Sequence, residues 1–263
     1  MKRRSLLLSL IATLGTAALF SGNAMADEVY TAIMARKSIR IAVPVDYPPY
    51  GSVDTDMTPR GYDIDMANLI AKKMGVKLEL VPVSGPNRVA YLQTRKSDLT
   101  ISSLGKTPER AKVIDFSIAY APFFDAVFGV KNVQAKTYAE LAGKTISVTR
   151  GSMQDQELEK LAPGAIVKRF EDNNSTIASF MAGQTQMFAT GTAVAAAILK
   201  KDPSINMDLK VILANAPCYV GVLKGESTLL AKVNMIVREA RNDGTVDALS
   251  KKWLGAPAGE LPE

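Results

Sequence analysis

The sequence predicts an α/β chain folded into two lobes, in the order lobe one, lobe two, lobe one. Segments patterned as strands and helices alternate through both halves, which points to parallel sheets covered by helices. Two apolar stretches, 116–130 and 219–223, read as strands that leave the first lobe and return to it. Such a path predicts a hinge and a cleft. The chain has 263 residues, and the 237 that would follow a 26-residue leader suffice for one large or two modest domains. The expected division is 1–26 as leader, 27–122 with 217–263 as lobe one, and 123–216 as lobe two.

Lys2, Arg3 and Arg4 form the basic start of the leader. Residues 6–20 are an apolar run broken by small residues, and Ala24-Met25-Ala26 is a small-x-small cleavage site. The run is too short for a stop-transfer helix. Arg3 and Arg4 also fit a twin-arginine pattern, so ordinary secretion and twin-arginine export both stay open. No cysteine follows closely to take a lipid anchor, and the expected location is a Gram-negative periplasm.

Lobe one should open with a helix at 28–37 and a strand at 39–43. Residues 44–60 carry four prolines and Gly51 and read as loop. Apolar residues at Ile64, Ala67, Leu69, Ile70 and Met74 make a helical stripe, which Gly75 ends. Asp63 and Asp65 fall in its first turn. Carboxylates suit a helix N-terminus, so both are expected to cap rather than to form an acid–base pair. A strand at 77–82 and a helix at 87–95 follow.

Segment 98–102 is short, apolar and β-branched, a buried strand. A polar loop leads to Thr107, a good N-cap, and to Pro108, suited to the first helical position. A strand end, free N–H groups and a helix start thus fall within a dozen residues. That suits a carboxylate, and Arg110 could add a two-pronged guanidinium. The alternative for Arg110 is a surface ion pair with Glu109 or Asp115.

Lobe two repeats the alternation, with strands at 145–149, 166–170, 186–189 and 210–213 and helices at 152–161, 174–181 and 192–200. Ser152 is expected to cap its helix, with Asp155 completing an approximate capping box. The N–H groups of Ser152 and Met153 would then face the cleft. After the returning strand come helices at 227–241 and 244–253 and a loose tail from 257.

Composition removes most chemistries. The chain has no histidine and one cysteine, Cys218. Ser-His-Asp and Cys-His catalysis, an internal disulfide and the usual zinc or haem sites are excluded. Cys218 lies in a strand-like stretch and reads as a small buried hydrophobe. No phosphate-loop lysine motif or dinucleotide fingerprint follows a strand. Formal net charge is +6, or +3 without the leader, and no basic run has interleaved aromatics. Nucleic acid is therefore not an expected partner. No cofactor and no metal are expected, and no later stretch is long and apolar enough to span a membrane.

Residues 97–120 resemble the T-P-E-R…D-F-S-x-x-Y signature of bacterial periplasmic amino-acid-binding proteins, the family 3 solute-binding proteins of ABC importers. Pro48-Pro49-Tyr50, residues 61–67, Asn87-Arg88, residues 141–144, Gly151-Ser152, Asp243-Gly244 and Lys252-Trp253 fall in the family's order and spacing. The resemblance covers nearly the whole chain after the leader. It implies the type II periplasmic-binding-protein fold with two crossing hinge strands. It also implies a monomer that captures a small carboxylate-bearing solute, first of all a polar or acidic amino acid, and delivers it to an inner-membrane ABC permease. Arg110 would clamp the carboxylate, helped by the N–H groups of Gly105, Ser152 and Met153. Ser103, Thr190 and Gly191 stand at ligand positions. Tyr47 would cover the ligand's apolar face, and Tyr50 aligns with a core aromatic. Arg88 would hold a second carboxylate, as in members that prefer acidic amino acids, or else is a surface helix arginine.

Two positions depart from the family's pattern. Gly191 stands where the family usually has an aspartate for the α-amino group, and Gly105 where it usually has a Ser or Thr that also takes it. An unpaired ammonium in a closed cleft is costly. Either Thr190, Thr192 or Asp46 substitutes, or the ligand lacks an ordinary α-amino group. A non-amino organic carboxylate is thus a rival ligand. A rival of another class is an enzyme resembling cyclohexadienyl dehydratase on the same fold, with Glu171, Asp172 or Asp155 as general acid. The leading expectation is a binding protein without catalysis.

Overall fold

The computed structural model describes residues 28–53 and 55–263, so the leader expected at 1–26 lies outside the described residues. Helix α1 (Glu28–Arg36) leads into strand β1 (Ser38–Val43). Three very short strands follow, β2 (Asp46–Tyr47), β3 (Gly51–Val53) and β4 (Pro59–Arg60), and pair antiparallel in a small sheet of their own. The stretch expected to be loop is therefore partly ordered as strand. Strands of two or three residues are too short to show a period.

Helix α2 (Tyr62–Met74) ends at Gly75, whose φ of 69° is the left-handed cap its sequence predicts. Then come β5 (Lys77–Pro82), α3 (Arg88–Gln93), β6 (Leu99–Thr100), the single turn α4 (Pro108–Ala111) and β7 (Ile114–Ala121). The strand expected at 116–130 is two strands. Pro122 has no N–H to offer a ladder, and the chain turns there and at Phe123 into β8 (Phe124–Val130) of a second sheet.

The alternation then resumes. It runs through β9 (Thr145–Thr149), α5 (Met153–Leu161), β10 (Ile166–Phe170), α6 (Asn173–Met181), β11 (Met187–Gly191), α7 (Thr192–Lys201) and β12 (Met207–Asn215). Ala216 and Pro217 make the second crossing, to β13 (Cys218–Leu223), and α8 (Ser227–Asn242) and α9 (Thr245–Leu254) complete the chain.

The first large sheet has the order β5-β1-β6-β13-β7, and the second β10-β9-β11-β8-β12. In each, four strands run in one direction and a single strand, β13 in the first sheet and β8 in the second, runs against them. Ile33, Ile41, Met66, Ile70, Leu99 and Val233 are among the residues of the larger core, which packs on the first sheet. The second sheet has one cluster around Ile146, Val148 and Leu158 and another around Phe128, Phe180 and Phe188. Cys218 is fully buried in the larger core.

Two expectations are corrected here. Asp63 and Asp65 do not cap α2, which follows Gly61 without a side-chain cap. Asp63 points inward and accepts from Ser103 N–H (2.7 Å), the Ser103 hydroxyl (3.0 Å) and the Tyr120 hydroxyl (2.6 Å). Asp65 accepts from Lys252 Nζ (2.7 Å) and Trp253 Nε1 (2.8 Å). The tail from 257 is docked rather than loose. Ala258 and Leu261 are buried, and the Pro262 carbonyl accepts from Ala119 N–H at 3.2 Å.

Candidate ligand cleft

A cavity of about 30 Å³ lies where the two sheets face each other, beside both crossings. Tyr47, Arg88, Ser103 and Gly105 reach it from the first layer, and Asp125, Ser152, Met153 and Gln154 from the second.

The loop after β6 is held by Asp63. Ser103 sits at a φ of 45°, a left-handed conformation that bulky residues avoid, and Asp63 fixes it through both its N–H and its hydroxyl. Ser103 therefore lines the cavity with its donors already committed. Burial pushes Asp63 up to about 6, against the pull of those hydrogen bonds.

Arg88 opens α3 and turns back over the same loop. Its Nε donates to Gly85 O (2.9 Å) and its Nη1 to Ser102 O (2.9 Å) and Ser103 O (3.3 Å). It is half-buried at the cavity, not a surface arginine. Nη2 has no hydrogen-bond partner among the described residues.

Arg110 is 7% exposed, which removes the surface ion-pair alternative; Asp115 pairs instead with Lys224. Thr107 caps the turn as expected, accepting from Arg110 N–H at 3.2 Å. The guanidinium fork spans the two layers, with Nη1 on Gly105 O (2.8 Å) and Nη2 on Gly151 O (2.9 Å). Burial, then repulsion from Arg88, pushes Arg110 down to about 9, so it remains a cation at neutral pH. It stands behind Gly105, outside the cavity lining.

Tyr47 fastens the layers together. Its ring stacks on Phe123 with centroids 6.2 Å apart and planes 14° apart. Gly191 N–H (3.0 Å) and Gln154 Nε2 (3.3 Å) donate to its oxygen, which leaves its own proton for Thr190 Oγ1 at 3.2 Å. Tyr50 is a core residue, 1% exposed. Asp46 accepts across the cleft from Asn173 N–H (2.8 Å) and Nδ2 (3.2 Å).

At α5, Ser152 Oγ accepts from Asp155 N–H at 3.1 Å, the expected cap. The return bond differs, because Asp155 accepts from Gly151 N–H at 3.0 Å. Ser152 N–H donates to Thr149 O at 3.1 Å and is not free to face the cleft, a correction to the expectation. Met153 N–H has no backbone acceptor among the described residues, as the first helical N–H should not.

The two departing glycines are both close approaches. A Cβ on Gly105 would lie 2.8 Å from Met153 Cγ, and one on Gly191 would lie 2.5 Å from Phe123 Cζ. Apolar side chains fill both places. Of the suggested substitutes, Thr190 is engaged with Tyr47, Asp46 lines the cavity but is tied to Asn173, and Thr192 lines a separate groove.

One residue without a motif of its own stands out. Asp125 of β8 is fully buried and lines the cavity, and both its carboxyl oxygens lack a hydrogen-bond partner among the described residues. Burial pushes it up to about 8; Glu157 adds to that, while Arg88 and Arg110 pull the other way. Its signal in the sequence is a lone charge within Phe-Phe-Asp-Ala-Val-Phe-Gly-Val. The proposed general acids lie elsewhere. Glu171 is exposed and paired with Arg150, Asp172 caps α6, and Asp155 binds Arg169 and Gly151 N–H. None of the three lines the cavity.

A family model described as bacterial extracellular solute-binding proteins, family 3, matches residues 39–256. The L-cystine-binding protein TcyJ of Escherichia coli (strain K12) is 26% identical over an alignment of 247 residues that covers 90% of each chain. Two solved structures of an ancestral arginine-binding protein, one bound to arginine and one to glutamine, superpose with a TM-score of 0.79. Each is 33% identical and covers 84% of this chain and 99% of its own.

Proposed function

The chain belongs to the bacterial extracellular solute-binding proteins, family 3, and from that premise we propose that it captures an amino acid in the cleft and delivers it to an ABC permease of the inner membrane. Its lobes are 27–122 with 217–263, and 123–216. It acts as a monomer in the periplasm. The cavity carries this reading. Arg88 and Met153 line it from opposite layers, and among the described residues Arg88 Nη2 and Met153 N–H have no acceptor; the Arg110 cation stands behind Gly105. A carboxylate placed there is held by both lobes at once. A ligand with contacts to both lobes favours the closed state by those contacts alone.

Closure has its own ties, Tyr47 to Gly191, Asp46 to Asn173 and Arg110 to Gly151, each linking the first layer to the second. The protein is a binder rather than an enzyme, in keeping with relatives named as cystine- and arginine-binding proteins. The test is a thermal-shift screen of the refolded, ligand-stripped mature chain against the common amino acids, dicarboxylates and keto acids. A ligand at about a hundred times its dissociation constant adds roughly 2.7 kcal/mol. A shift with an α-amino acid supports the reading, and shifts confined to carboxylates without an amino group overturn it.

A further inference from the structure

Among the described residues the carboxyl of Asp125 has no hydrogen-bond partner, yet it is surrounded. It reaches the cavity from β8, with Arg88 and Arg110 near enough to oppose the rise that burial causes in its affinity for a proton. It forms no ion pair with either among the described residues. In register, Asp125 stands directly opposite Gly191 of β11 and opposite Ala214 of β12. Directly opposed residues project to the same face of a sheet. Neither neighbour offers a side-chain donor, and at Gly191 the nearby space holds the Phe123 ring. A buried carboxyl left unbonded in a polar cavity calls for a donor from outside the chain.

We propose that Asp125 is the cation-holding group of the cleft and takes the ligand's ammonium, opposite the donors that take its carboxylate. This rests on the amino-acid reading and sharpens it. The cavity is then bipolar, with the Arg88 cation from the first layer and the unbonded Asp125 from the second; Asp46, the first layer's carboxylate in the lining, is tied to Asn173. It would select zwitterions over carboxylates lacking the ammonium, and the positions of Gly105 and Gly191 need no polar side chain.

Burial raises the affinity of this carboxyl for a proton, which gives the proposal a second readout. The groups that act on Asp125 are Arg88 from α3, Arg110 from α4 and Glu157 from α5, with the neutral Tyr47 and Cys218 from β2 and β13, and Asp46 of β2 shares its cavity. An arriving ammonium requires the charged carboxylate, so Asp125 gives its proton to the buffer as the ligand binds. The sidedness is fixed: proton release, not uptake, near neutral pH.

The experiment uses the refolded mature chain. Each amino acid that shifts the melt is titrated calorimetrically into wild type and Asp125→Asn, beside the same skeleton bearing hydrogen in place of the ammonium. Titrations in two buffers of different ionisation enthalpy count the protons. The expected result is at least a hundredfold preference of wild type for the amino acid, with proton release near pH 7. In Asp125→Asn that preference collapses to under tenfold and the proton release disappears. If wild type binds an amino acid and Asp125→Asn binds it within threefold, the inference fails while the functional reading stands. Wild-type binding without proton release at pH 7 also overturns the inference, whatever the variant's folding. A wild type that responds to no amino acid overturns the functional reading and this inference together.

Discussion

Gly105 and Met153 occupy one space from opposite sides of the cleft: a Cβ on the first would lie 2.8 Å from Cγ of the second. Met153 opens α5 of the second layer, and Gly105 follows β6 of the first, so under the proposed function the contact belongs to the closed form. Gly105→Ser should oppose closure. Overpacking costs typically about 1–3 kcal/mol, which predicts roughly a five- to 150-fold loss of affinity by calorimetry. Gly105→Ser combined with Met153→Ala removes the clash and should recover most of it. Wild-type affinity in the single variant would show that Met153 yields its place freely.

Gly191 tells a stricter version of the same story. The atom its Cβ would meet, at 2.5 Å, belongs to Phe123, whose ring packs between Tyr47 and Tyr50. A long flexible side chain can move aside; an aromatic held on two faces cannot. Gly191→Asp should therefore lower the melting temperature of the unliganded protein, where Gly105→Ser, acting on closure, lowers it less. A Gly191→Asp melt equal to wild type would contradict this packing argument.

The two-layer alternation, the helix ends at Gly75 and Thr107 and the crossing near Pro122 are all legible in the chain, because each rests on a local rule of period or backbone. The features that are not legible depend on partners distant in sequence. Local rules make Asp63 a cap for its own helix, but its acceptors are used by Ser103 and Tyr120, 40 and 57 residues away. Ser152 N–H reads as free because the Thr149 carbonyl that takes it belongs to a turn with no signature of its own. Asp125 lies within an apolar run that reads as one strand. Its isolation there is the available clue, since a charge seldom enters a buried strand without a partner or a task.

Arg110 is a fork rather than a point charge, with one prong on Gly105 O and the other on Gly151 O. A lysine keeps the charge but cannot reach both sides. Arg110→Ala is expected to abolish any ligand-induced thermal shift. Arg110→Lys should bind weakly and close less completely, which small-angle scattering of the liganded state would show as a larger radius of gyration. Equal compaction of Arg110→Lys and wild type would remove the fork from the closure mechanism.

The docked tail predicts a stability effect that a loose tail would not. Leu261 is buried, the Pro262 carbonyl accepts from Ala119 on β7, and Glu263 pairs with Arg238 of α8. Burying a leucine is worth about 1.5–3 kcal/mol, and one hydrogen bond adds about 1 kcal/mol. Truncation after residue 256 should thus lower stability in urea by roughly 2–4 kcal/mol. Ligand affinity should change little, since these residues lie outside the cavity lining.

The raised carboxyls give the pH dependence its sign. Asp125 stands at about 8 and Asp63 at about 6, both through burial, whereas an unfolded aspartate titrates near about 3.9. The folded state therefore holds protons that the unfolded state releases. The stability these groups contribute is full below pH ~4. It is lost as pH rises, the Asp63 share by about 6 and the Asp125 share by about 8. Other carboxylates titrate with the opposite sign, so the informative quantity is the difference between wild type and Asp125→Asn, both without ligand. Near pH 4 the two should nearly coincide. By pH 8 the variant should be the more stable by several kcal/mol, since each tenfold change in proton affinity is worth about 1.4 kcal/mol. Bound ammonium compensates the same charge, so saturating ligand should shrink the gap. A difference curve flat from pH 4 to 8 would mean that Asp125 is not held as an unpaired acid in the unliganded protein.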